Sequence, residues 1–151
     1  MELILWRHAE AEDGFPDMAR QLTLKGRKQA TNMAAWLKPR LPDDIRILVS
    51  PAARTQQTAA ALGMDFITVE GIAPDASPEA LFAAAGWPDQ PQSVLIVGHQ
   101  PTLGEAASIL LQSANPAQSI KKGAVWWFSA RHGNPQDVVL KAMLTPDIAQ
   151  D

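Results

Sequence analysis

The chain has 151 residues, 46% of them apolar, which is enough for one hydrophobic core and too apolar for a disordered segment. A formal charge of -3, with Lys121-Lys122 as a mere pair, excludes the basic face of a nucleic-acid binder, so any anion must be bound locally. The lack of cysteine excludes disulfides and thiolate metal sites and fits a reducing compartment. The amino terminus has no basic stretch before its short apolar run, and no segment has the length of a membrane span, so a cytoplasmic protein that touches no membrane is expected. With neither repeat nor linker in view, residues 1–151 read as a single domain.

The first apolar run, Leu3-Ile4-Leu5-Trp6, reads as a buried strand that delivers Arg7-His8 at its carboxyl end. In open α/β sheets ligands bind at that end. Arg7 is a permanent cation whose planar fork suits phosphate, and His8 is readily neutral and nucleophilic near pH 7, so the pair suggests phosphoryl chemistry. After a loop over residues 12–21, Thr23 is expected to cap a helix starting at Leu24, with Ala30, Met33, Ala34 and Leu37 as its buried stripe and Pro39 as its stop. Residues 45–49 form a second strand, and Ser50-Pro51 read as the cap and first residue of a helix over 52–62 that carries Arg54 on its first turn. A short strand over 66–69 follows, then Ser77-Pro78 opens an alanine-rich helix to about residue 85.

Residues 93–97 are the most strand-like run and end in Gly98-His99-Gln100-Pro101, after which Leu103, Ala106, Ala107 and Leu110 recur at helical spacing. Strand and helix alternate through four units. The expected fold class is therefore α/β, a three-layer α/β/α arrangement with a mostly parallel central sheet flanked by helices. Residues 125–128 and 138–140 flank Arg131-His132-Gly133-Asn134-Pro135 and read as a terminal hairpin, with a loose tail after Leu144.

This topology brings Arg7, His8, Arg54 and His99 together, with the helix starts at Pro51 and Pro101 pointing the same way, as a site for a dianionic phosphate. The implied mechanism is in-line attack by a His8 ring nitrogen on phosphorus, then hydrolysis of the phosphohistidine by water. Arg7, Arg54 and a protonated His99 would stabilise the equatorial oxygens, and clustered cations would keep His8 unprotonated. No metal or other cofactor is needed. A metal held by His8, Glu10, Glu12 and Asp13 is the competing reading, but two adjacent arginines would repel a cation, and the three acids read more simply as a solvated loop. Arg131-His132-Gly133 repeats the first tripeptide's chemistry, yet the following Asn134-Pro135 and strand make it a turn. Trp126-Trp127 would place one ring on each face of a strand and so serve packing.

Arg7-His8-Ala9-Glu10-Ala11, the stretch from Ser50 through Arg54-Thr55 to Thr58-Ala59, and Gly98-His99-Gln100-Pro101 resemble the three signatures of the histidine phosphatase superfamily, also called phosphoglycerate mutase-like. The short length and Asp17-x-x-Arg20-x-Leu22-Thr23-x-x-Gly26 resemble its SixA branch, the phosphohistidine phosphatases. The resemblance implies that His8 is the phosphorylated nucleophile, that Arg7, Arg54 and His99 form the phosphate pocket, and that Arg20, with Asp17, lies at its rim.

Three departures stand out. Ala9 replaces the usual glycine after the nucleophile, and Gln100 replaces a frequent asparagine. Around residues 70–75 no stretch matches the motif that carries the acidic donor of mutases and sugar-phosphate phosphatases. An imidazole leaving group dispenses with such a donor more easily than an alkoxide does. The implied activity is thus a protein phosphohistidine phosphatase, a monomer acting on a phosphohistidine-containing partner. The alternatives are a phosphatase of small esters, with Asp17, Glu70 or Asp75 as donor, and a non-catalytic phosphate-binding module.

Overall fold

Alternation along the strands divides the apolar side chains between two faces of one sheet. The computed structural model describes residues 1–131, 134 and 136–150. Its six strands are β1 (Glu2–Arg7), β2 (Arg46–Val49), β3 (Ile67–Thr68), β4 (Val94–Gly98), β5 (Val125–Ala130) and β6 (Val138–Leu144), in the order β3-β2-β4-β1-β5-β6. The first four run parallel, while β5 pairs antiparallel with both β1 and β6, so the terminal pair is the expected hairpin. Arg131, Asn134 and Asp137 link backbone groups across its connection. His132, Gly133 and Pro135 of the expected turn lie outside the described residues.

Leu3, Leu5, Leu48, Val94, Ile96 and Phe128 face one way, against α3 (Pro78–Ala85) and α4 (Thr102–Leu110). Ile4, Trp6, Val49, Leu95, Val97 and Trp127 face the other, against α1 (Leu24–Leu37) and α2 (Ala53–Ala60). This is the three-layer arrangement expected of alternating strands and helices. Trp126 packs on the first face and Trp127 on the second, so the tandem tryptophans serve both cores. No helix among the described residues is long and apolar enough to cross a membrane.

The α1 stripe is the predicted one, Ala30, Met33, Ala34 and Leu37, and Thr23 Oγ1 accepts from the Gly26 amide at 2.9 Å as its cap. That hydroxyl also donates to Glu10 Oε2 at 2.8 Å, so Glu10 supports the cap and is not a free loop acid. Gly26 is required for closeness: a Cβ there would stand 1.9 Å from the Glu10 carbonyl oxygen.

Two expectations fail. Ser50-Pro51 do not begin the second helix: α2 starts at Ala53, and its N-cap Ala52 has no side-chain cap bond. The Ser50 hydroxyl is drawn instead to a partner on another strand end. The residues after Leu144 are not loose either, since Pro146–Ala149 form a short helix, α5, whose Ala149 packs in the core beside α1. Burial of Pro146 and Ala149 supplies the stabilisation that their local sequence lacks.

Candidate active site

Strand order builds the site. Because β4 lies between β1 and β2, the residues leaving these three strands, Arg7-His8, His99 and Ser50, meet at one carboxyl edge. Arg7, His8 and His99 line a cavity of about 370 Å³ with Asp17, Arg20, Arg54, Asp75 and Gln100, while Ser50 is buried behind His99. His8 and His99 lie with ring centroids 5.4 Å apart, and both are buried. Arg7, His8, Arg54, His99, Arg20 and Asp17 therefore all lie on one cavity wall. Glu70, one of the suggested donors, is absent from the cavity wall, whereas Asp75 is present.

His8 Nδ1 lies 2.8 Å from the Ala9 carbonyl oxygen. A carbonyl only accepts, so Nδ1 carries the proton and Nε2 is left with its lone pair. Burial is the main reason the imidazole is pushed down to about 4, opposed by the Ala9 bond and reinforced by Arg7, Arg54 and Arg20. Desolvation, more than the clustered cations expected to do so, thus keeps His8 neutral. Ala9 itself is fully buried, and it is not among the residues with positive φ, so alanine in place of glycine carries no left-handed strain. Its amide donates to Thr58 Oγ1 at 3.0 Å, which ties the turn after β1 to α2.

His99 Nε2 lies 2.7 Å from Ser50 Oγ, leaving Nδ1 buried with no partner among the described residues. His99 is pushed down to about 3, first by burial and then by the Arg54 charge, so in this pocket it is neutral and not the protonated group expected. The place of Ser50 before a proline predicts a helix cap. Nothing in the local sequence distinguishes that role from partnership with a histidine 49 residues away.

Arg54 is held by Asp17: Nη1 donates to the Asp17 backbone oxygen at 2.9 Å and Nη2 to its carboxylate at 3.1 Å. Arg20 Nε stands 3.5 Å from the same carboxylate. Asp17 therefore orients two guanidinium groups, more than the rim position implied. Arg7 Nη1 donates to the Ile120 carbonyl at 2.9 Å, and burial and then the Arg54 charge lower Arg7 from its ordinary value. Gln100 serves α4, where its Oε1 accepts from the Gly104 amide at 2.7 Å and its Nε2 donates to the Gln118 carbonyl at 2.8 Å. Proline at the N-cap offers no such acceptor, so the glutamine has a structural task.

Among the described residues, the buried side-chain nitrogen or oxygen atoms without a hydrogen-bond partner are Arg7 Nε, Arg20 Nε, Arg54 Nε and His99 Nδ1. All four residues line this cavity. Buried donors without acceptors are costly, and like charges crowded beside them add to that cost, so the site is built for an oxyanion. No cluster of three acidic or histidine side chains suited to a metal exists among the described residues.

Comparison with known proteins agrees with this chemistry. A profile described as the histidine phosphatase superfamily (branch 1) matches residues 3–72. A phosphohistidine phosphatase SixA homolog from Haemophilus influenzae is 34% identical over 132 residues, covering 77% of this chain and 80% of that one. The phosphohistidine phosphatase SixA of Escherichia coli is 28% identical over 125 residues, covering 77% of this chain and 78% of its own. In fold, the chain is similar to the protein histidine phosphatase SixA complexed with tungstate, with a TM-score of 0.83 at 23% identity over 99% of this chain and 100% of that one.

Proposed function

The chain belongs to the histidine phosphatase superfamily, in its SixA-type branch, and is a phosphatase; we propose that it removes phosphate from phosphohistidine displayed on another protein, through an intermediate on His8. The observation that carries this reading is the set of unpartnered buried nitrogens on Arg7, Arg20, Arg54 and His99, four residues that share one cavity with His8. An acceptor-only, tetrahedral anion satisfies them, and tungstate, bound by the structural neighbour, has that shape and charge.

His8 Nε2 attacks phosphorus in line, an Nε2–P bond forms, and the bond from phosphorus to the substrate imidazole breaks, that ring leaving neutral because its other nitrogen already carries a proton. The proton that the Ala9 carbonyl holds on His8 Nδ1 makes the phosphorylated ring a cationic phosphoimidazolium, which later leaves as neutral imidazole without needing a new proton. Water then adds its oxygen to phosphorus, the Nε2–P bond breaks, and the water proton passes to the released phosphate or to solvent. Arg7, Arg54 and Arg20 stabilise the equatorial oxygens, and His99 donates through Nδ1. Asp17 holds the fork of Arg54 in place.

Access supports a protein substrate. Between α2 and β4 the chain holds only the two-residue β3, a 3-10 turn at Glu70–Ile72 and the eight-residue α3, too little for a lid domain. The test is kcat/KM on a histidine-phosphorylated peptide against a panel of sugar and aryl phosphates. A preference for the esters would overturn the assignment of substrate.

Asp75 favours a second reading. It lines the cavity in a left-handed conformation, φ 71°, that aspartate tolerates better than most residues, and it could protonate an alkoxide leaving group. Asp75→Asn is expected to spare the phosphohistidine reaction; a loss of about a hundredfold confined to the esters, on which the parent is the faster enzyme, would make Asp75 their general acid and favour this reading.

A further inference from the structure

Beside the catalytic cavity runs a larger groove of about 710 Å³, and Arg7 and Lys122 line both, so the two adjoin. Its walls carry Lys25 and Lys28 from α1, Lys121 and Lys122 from the segment before β5, and a single carboxylate, Asp147, from α5. On a chain with a formal charge of -3, such segregation of cations is a local feature and no consequence of overall composition. None of the four lysines has an ion-pair partner among the described residues. Lys25 lies in the first turn of α1, where the helix dipole disfavours positive charge, Lys28 follows in the next turn, and all four lysines are exposed.

The groove is firmly placed. The Ile120 carbonyl accepts from Arg7 Nη1 at 2.9 Å, the Gly123 amide donates to the His8 carbonyl at 2.9 Å, and Trp6 Nε1 donates to the Gly123 carbonyl at 3.1 Å. These bonds bracket Lys121 and Lys122 and fix their backbone against the end of β1. Gly123, at φ 74°, lets α5 close the far wall, since a Cβ there would stand 2.7 Å from Pro146 Cγ.

We infer that this groove binds an acidic segment of the phosphohistidine-bearing protein, whose carboxylates flank the phosphorylated histidine. The inference rests on the proposed substrate and extends it to the surroundings of the phosphoryl group. Several separate lysines suit several separate carboxylates, because a lysine ammonium is a mobile point charge without the arginine fork. No aromatic ring lines the groove, so a nucleobase would find no stacking surface, while the amides of Gln29, Asn32 and Gln150 can pair with a peptide backbone.

The test uses three synthetic peptides of equal length, each phosphorylated on one histidine by phosphoramidate and flanked by aspartate, serine or lysine. At low ionic strength kcat/KM should fall from acidic to neutral to basic peptide by about tenfold a step, and the steps should shrink at high salt. Lys25→Gln/Lys28→Gln/Lys121→Gln should abolish the order while leaving turnover of the neutral peptide and of para-nitrophenyl phosphate unchanged. Equal kcat/KM for the three peptides would overturn the groove and leave the proposed function standing, as would a variant that slows every substrate alike. Failure to hydrolyse any of the peptides would overturn both.

Discussion

Replacing Ser50 by alanine removes a hydroxyl that lies 2.7 Å from His99 Nε2 in a fully buried position. In the proposed mechanism His99 Nδ1 donates to phosphate oxygens, which in the dianion accept only, so Nδ1 must carry the proton, and neutral His99 must then accept at Nε2 from the Ser50 hydroxyl. Ser50 Oγ can still accept from the Ala52 amide, at 3.4 Å. A buried neutral hydrogen bond contributes about 0.5–1.5 kcal/mol net, so loss of the tautomer bias should lower kcat/KM by about two- to tenfold. Removing the donor altogether, as in His99→Ala, should cost about a hundred- to a thousandfold. Leaving Nε2 and the Ala52 amide unpaired should also lower Tm by several degrees, at about 2–4 °C per kcal/mol for a chain of this size. The assays are turnover of para-nitrophenyl phosphate and the 15N spectrum of His99, which should show a protonated Nδ1 in the parent protein and a mixture in Ser50→Ala. A parent protein protonated at Nε2, or a Ser50→Ala variant as impaired as His99→Ala with its tautomer unchanged, would refute the argument.

Rapid acid-free quenching during turnover should trap phosphate on His8 that is acid-labile and base-stable, and His8→Ala should carry none; turnover without this label would demote His8 to a base. Arg54→Lys should reduce formation of that label by at least tenfold with little change in Tm, because lysine keeps the charge but loses the fork that both Asp17 and an oxyanion use; an active variant would remove Arg54 from the pocket chemistry. Stability should be constant above about pH 6.5 and fall as pH drops towards 4, because His8 and His99, held down to about 4 and about 3, resist a proton that the unfolded chain accepts. Each contributes about 1.4 kcal/mol per pH unit within its window, and denaturant titrations of His8→Ala/His99→Ala should show a flatter profile between pH 6.5 and 5.

Much of the site was legible because its cues are local. An apolar run that stops at Arg7-His8, another that stops at Gly98-His99, and helical spacing between them depend on neighbours in the chain, and period and punctuation report them directly. Those cues alone determined the α/β alternation, the places of Arg7-His8 and His99 at strand ends and of Arg54 at a helix start, and the Thr23 cap. Which proton each histidine keeps was decided by tertiary structure. The Ala9 carbonyl accepts from His8 Nδ1 through the fold of the turn after β1, and Ser50 meets His99 only because β4 inserts between β1 and β2. The same is true of Asp17 gripping Arg54 across 37 residues, and of α5, whose weak local signal is outweighed by burial against the core beside α1. Hydrogen-bond partners distant in sequence are chosen by strand order and packing, and these are properties of the whole sheet that no window of neighbouring residues contains.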